Sequence, residues 1–155
     1  MDNLSDQALK VQVFNICFEA LNTRLTDLRA EVVQLRLSIA NDSKSSMGDK
    51  YETSREMMQQ EINRLEQQIA LTGQQLFNLK AINLDKSYAQ IEKGSLVRTS
   101  MGLFFIAVSY GEVKIAAQSC FVISEIAPLA KLLFNTKLGG SFELNKKLVE
   151  VLAVC

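Results

Sequence analysis

Val11–Ala40, VQVFNICFEALNTRLTDLRAEVVQLRLSIA, decides the architecture. Its apolar residues fall at Val11, Phe14, Phe18, Leu21, Leu25, Leu28, Val32, Leu35 and Ile39, in steps that alternate between three and four. That alternation holds a narrow apolar stripe on one side of an α-helix, which is a heptad seam. The run that follows, Asn41–Asp49 (NDSKSSMGD), is polar, holds a glycine and has no apolar period, so the helix is predicted to end near Ala40. A second seam passes through Tyr51, Met58, Ile62, Leu65, Ile69, Thr72, Leu76 and Leu79, among helix formers such as Glu56, Gln59, Gln60 and Glu61. Two long helices joined by about ten residues predict an antiparallel coiled-coil hairpin over residues 1–80.

The pattern changes after Lys80. Residues 81–93 read as a linker and 94–155 as a small β-rich domain, giving an α+β chain. Strands are predicted at Leu96–Thr99, Leu103–Ser109, Val113–Ala117, Phe121–Ser124, Ser141–Leu144 and Lys147–Val154, punctuated by Gly102, Gly111 and Gly139-Gly140. One short helix is predicted at Pro128–Asn135, with proline in the first turn, where its missing N–H costs nothing.

Composition excludes several functions. Lys+Arg and Asp+Glu both number 17, which argues against affinity won by covering a nucleic-acid backbone with positive charge. The two halves differ only slightly, net −2 for residues 1–80 and net +2 for 81–155. No histidine is present, so imidazole bases and His-bearing metal sites are ruled out. Cys17, Cys120 and Cys155 are odd in number and widely spaced, which fits neither a disulfide framework nor a Cys-x-x-Cys site. The acidic start MDNLSDQALK lacks a signal-peptide pattern, and no apolar run approaches the ~20 residues of a membrane span. A reducing, cytoplasmic setting is expected.

Three groups carry candidate chemistry. At the hairpin tip, Asp42, Asp49 and Glu52 are the available carboxylates. Asp49 and Glu52, three apart, share a helical face and have two open readings: joint ligation of a divalent cation, most plausibly Mg²⁺, or a capping box at the helix start. Arg29 and Arg36 lie one heptad apart and either face RNA phosphate or flank the coiled coil in ion pairs. Cys17 and Cys120 read as small core residues, and Met47 as an exposed loop residue.

Two local runs then carry a resemblance. The first is Ile123-Ser124-Glu125-Ile126-Ala127-Pro128-Leu129-Ala130-Lys131-Leu132-Leu133-Phe134, followed by Leu138-Gly139. It resembles the pattern Ile-Ser-x-x-Ser-Pro-x-x-(basic)-x-Leu-(apolar), then apolar-Gly-Asp, of the bacterial Gre transcript-cleavage factors. The second, Lys50-Tyr51-Glu52-Thr53-Ser54-Arg55-Glu56, resembles that family's Glu-Tyr-x-x-Ala-(Lys/Arg)-Glu. The order of parts, a helical hairpin and then a β domain, is also similar.

The resemblance implies an FK506-binding-protein-like C-terminal domain that docks on the rim of the RNA polymerase secondary channel through Ser124, Ala127, Pro128 and Leu129. It implies that the hairpin enters the channel near the RNA 3′ end, and that tip carboxylates share Mg²⁺ with the polymerase active centre. The chain itself then has no catalytic residue and no tightly held cofactor. When Tyr51 is matched to the family's tyrosine, the two acidic tip positions fall on Lys44 and Met47, neither of which ligates Mg²⁺. Asp49 and Glu52 repeat the spacing five residues later. Ala127 and Gly140 replace the family's serine and aspartate. The alternatives are a coiled-coil interaction module unrelated to transcription and, less favoured, a prolyl isomerase with a helical arm.

Overall fold

A computed structural model describes residues 5–42 and 49–155. Two long helices, α1 (Asp6–Asp42) and α2 (Asp49–Lys80), precede strands β1 (Leu96–Thr99), β2 (Gly102–Ala107), β3 (Gly111–Ile115) and β4 (Gln118–Ser124). Helix α3 (Pro128–Phe134) and strands β5 (Ser141–Leu144) and β6 (Lys147–Val154) complete the chain. The architecture is α+β. Packing divides it into two compact units, Ala20–Leu76 and a discontinuous one made of Met1–Glu19 with Phe77–Cys155.

In the helical unit the α1 and α2 seams close on one another. Leu28, Val32, Ile62 and Leu65 are buried, with Leu35, Ile39 and Ile69 packed against them. These are the heptad positions, because only an a/d stripe stays on one side of both helices. Arg36 pairs with Glu66 across the hairpin at 2.6 Å, and Arg64 pairs with Glu61 one turn away. All four side chains are largely exposed, so these pairs add little to stability.

In the other unit the α1 seam departs from the heptad reading. The buried positions are Leu9, Lys10, Val13 and Cys17, while Val11, Phe14 and Phe18 are only half-buried. The apolar face here is broad, as a helix needs when it packs on more than a single partner helix. Ser5 starts α1: its Oγ accepts from the Ala8 amide at 3.2 Å, and Asp6 adds negative charge to the first turn.

The six strands run in the order β3-β4-β2-β1-β6-β5, with β2 and β4 parallel and every other pair antiparallel. Alternation gives the sheet two apolar faces. Val97, Phe104, Ile106 and Val151 lie on one, under Leu133 of α3, with Ile91, Ile123, Leu129, Phe142 and Val154 around them. Leu96, Leu103, Phe105, Cys120 and Val122, also buried, alternate onto the other. On that side Asp6 of α1 meets Arg98 of β1 at 2.7 Å.

A bulge in β6 keeps its pattern in phase. Arg98 faces Ala153 and Thr99 faces Val151, leaving Leu152 without a partner and 53% exposed. The extra residue returns Val154 to the α3 side of the sheet. One turn accounts for the shifted ends of β3 and β4, whereas β5 and β6 keep the predicted bounds. β3 stops at Ile115 and β4 begins at Gln118 because the chain reverses at Ala116, with φ of 51°. An Ala-Ala turn carries no glycine or asparagine signal. Asn145 and Lys146, both at positive φ, make the two-residue reversal between β5 and β6 that asparagine favours.

Candidate functional site

The turn between β4 and α3 carries the four docking candidates of the quoted C-terminal run. Ser124 ends β4, and its Oγ accepts from the Ile126 amide at 3.3 Å. The Ala127 amide donates to the Ser124 carbonyl at 3.0 Å, closing a tight reversal. Ala127 then occupies the N-cap with extended φ and ψ, but has no side chain to accept from the helix amides. Pro128 takes the first helical position, where its fixed φ suits the helix and its absent N–H leaves no bond unmade.

The four docking candidates therefore share one short segment but not one environment. Pro128 is exposed, Ser124 and Ala127 are half-buried, and Leu129 turns inward onto the Val97–Phe104–Leu133 core. Ile126, which the sequence reading passed over, is 75% exposed at the apex. Its signal is an isoleucine inside a strand-to-proline turn, a place where apolar side chains have no local core to enter. Glu125 beside it is held by Lys93 at 3.8 Å.

Of the three hairpin-tip candidates, Glu52 is the one whose side chain is described. Asp42 and Asp49 end α1 and begin α2, with side chains outside the described residues, as are Lys44 and Met47. Glu52 lies exposed near the start of α2 and lines a shallow hollow of about 370 Å³ with Tyr51, Arg55, Glu56 and Gln59. Among the described residues no three carboxylate or thiol groups converge to hold a metal. A Glu52 carboxylate supplies at most a bidentate contact, so a Mg²⁺ at this tip needs most of its ligands from elsewhere.

Of the two arginines, Arg29 is exposed and makes no ion pair among the described residues, whereas Arg36 is tied to Glu66. Cys17 and Cys120 are buried in the β-rich unit, and burial pushes both thiols up to about 12. For Cys120 the proximity of Cys17 adds to the rise and a backbone hydrogen bond from Phe105 offsets part of it.

A cluster the sequence did not flag joins α1 to residues 81–93. Lys10 is wholly buried, donates to the Lys86 carbonyl at 3.3 Å and lies 4.9 Å from the Tyr88 ring centroid. Lys86 approaches the same ring at 4.7 Å. Gln7 donates to the Leu84 carbonyl and accepts from the Cys155 thiol at 3.0 Å. The segment read as a linker is thus pinned to the first turns of α1. Asp6, one helical turn before Lys10, gives its carboxylate to Arg98.

Comparison with protein-family models, with curated proteins and with solved structures returned no match. No helix among the described residues is long and apolar enough to cross a membrane.

Proposed function

We propose that the chain is a Gre-like transcription elongation regulator of a bacterial cytoplasm. In this reading the β-rich domain has an FK506-binding-protein-like fold and binds RNA polymerase, and the coiled coil enters the secondary channel. The observation that carries it is the β4–α3 turn: the run resembling the Gre docking motif forms a hydrogen-bonded reversal with Ile126 and Pro128 exposed. A rigid turn with an apolar apex loses little conformational freedom on docking, which favours binding. Regulation then works by occupying the approach to the polymerase active centre. Any Mg²⁺ is the polymerase's, with Asp49 and Glu52 supplementing its ligands.

The test mixes the purified chain with RNA polymerase halted in a backtracked complex and measures binding and release of the short 3′ RNA. Binding that is lost in Ile126→Ser supports the docking turn. Cleavage that disappears in Asp49→Ala/Glu52→Ala assigns those carboxylates a relocated role, and binding without cleavage marks a channel-occupying regulator. Absence of binding sinks the reading.

One observation favours the second reading, a coiled-coil interaction module. Val33 and Leu37, one turn apart on α1, are each 52% exposed, and so form a small apolar stripe outside the seam. A chain that dimerises in light scattering, and reverts to monomer in Val33→Ser/Leu37→Ser, places the arm in that class.

A further inference from the structure

The segment Ala89–Ile91 and the stretch Phe134–Leu138 that leaves α3 line a half-open hollow of about 680 Å³ in the β-rich unit. That size accommodates several side chains or a short peptide. Its walls are held in shape by turns: the Thr136 hydroxyl donates to the Leu132 carbonyl at 2.8 Å, the Thr136 amide to Leu133 at 3.0 Å, and the Gly140 amide to Lys137 at 2.8 Å. A Cβ at Gly140 would crowd the Lys137 carbonyl at 2.9 Å, so the turn is built around glycine.

The lining combines two chemistries. Phe134 and Leu138 leave 37% and 58% of their surface exposed there, beside Ile91, which anchors the floor to the core. Gln90, Asn135 and Lys137 line the same space and have no side-chain hydrogen bond or ion pair among the described residues. A primary amide offers a donor and an acceptor, the complement of a peptide group. Lys137 is the only charged residue in the lining, and it is positive.

We propose that this hollow binds a short extended peptide segment of a partner protein, one that carries a large apolar side chain next to an aspartate or glutamate. The apolar side chain lies against Phe134 and Leu138, Gln90 and Asn135 pair with the peptide backbone, and Lys137 receives the carboxylate. The inference does not rest on polymerase binding. The site uses the far end of α3 from the Ser124–Pro128 turn, so the two are separable by mutation.

The test selects a phage-displayed random heptapeptide pool on the full-length chain and then titrates the synthetic consensus peptide, following backbone amide NMR shifts. Expected are an acidic-plus-apolar consensus, shifts centred on residues 89–91 and 134–138, and at least a tenfold loss of affinity in Lys137→Glu. A peptide with its acids changed to lysine should regain affinity for that variant. Lys137 and Leu138 are exposed, so Lys137→Glu and Leu138→Asp leave the fold intact, which circular dichroism checks. No enrichment over Leu138→Asp, a consensus without acids, shifts that map elsewhere, or an unchanged affinity in Lys137→Glu would each overturn the proposal.

Discussion

Lys10 sits where burial disfavours its charge: the side chain is fully enclosed beside the Lys86 carbonyl and the Tyr88 ring, with no ion pair among the described residues. Burial lowers its pKa from the ordinary 10.5, and negative charge at Cys155 partly opposes this. Between the lowered value and 10.5 the unfolded chain holds more protons than the native one, so stability rises with pH through that window. Lys10→Met removes the effect. It should raise stability by about 1 kcal/mol at neutral pH, as apolar replacements of buried charge often do, and the advantage should shrink as pH approaches 10.5. Urea unfolding of both proteins across pH measures it. The three thiols give a second prediction at this scale. Cys17 and Cys120 are buried with pKa values near 12, so iodoacetamide at pH 8 should label only Cys155 in the native state. Mass spectrometry counts the adducts; rapid labelling of two or three thiols contradicts the packing.

Among the elements, the coiled coil owes its stability to its seam rather than to its surface charges. Leu65 is 1% exposed at the centre of the Leu28–Val32–Ile62 cluster, and Leu65→Ala should cost about 3 kcal/mol. Leu71, on the same helix but 68% exposed, should tolerate alanine within about 0.5 kcal/mol. Arg36→Ala, which breaks the exposed pair with Glu66, should also stay within about 0.5 kcal/mol. A loss in Arg36→Ala comparable with that in Leu65→Ala would show that ion pairs hold the hairpin. In the connecting segment Gly94 has φ of 98° and lies under the Tyr88 hydroxyl, so any Cβ there meets both backbone strain and a side chain. Gly94→Ala should cost about 2 kcal/mol or more in denaturant unfolding.

For the molecule as a whole, the β-rich unit is discontinuous in sequence. One face of its sheet is covered by α3, while the other carries Leu96, Phe105 and Cys120 and meets the start of α1 through Arg98 and Asp6. A fragment spanning residues 77–155 therefore lacks part of its core and should bind a hydrophobic dye without a cooperative melt. A chain in which Ala20–Leu76 is replaced by a short Gly-Ser loop keeps Met1–Glu19 and should melt cooperatively. Lys80 lies 5.5 Å from the Phe18 ring, so the cut ends are close enough to join. Near-UV circular dichroism during heating distinguishes the two. A cooperative melt of the 77–155 fragment would show that the sheet needs no cover from α1.

Periodicity alone determined the two helices and the helical-unit seam, because a narrow a/d stripe admits one partner geometry. It also determined most strand positions and proline at the head of α3, since alternation and fixed φ are local properties. Tertiary structure decided the rest. Which faces of the sheet are covered, the parallel pairing of β2 with β4, the bulge at Leu152 and the Ala116 turn depend on partners distant in sequence. The burial of Lys10, the pairing of Asp6 with Arg98 and the meeting of Ala89–Ile91 with Phe134–Leu138 are of the same kind. Charge and hydropathy describe what each residue prefers in water, whereas a buried lysine or a lined hollow arises only when remote segments close around it.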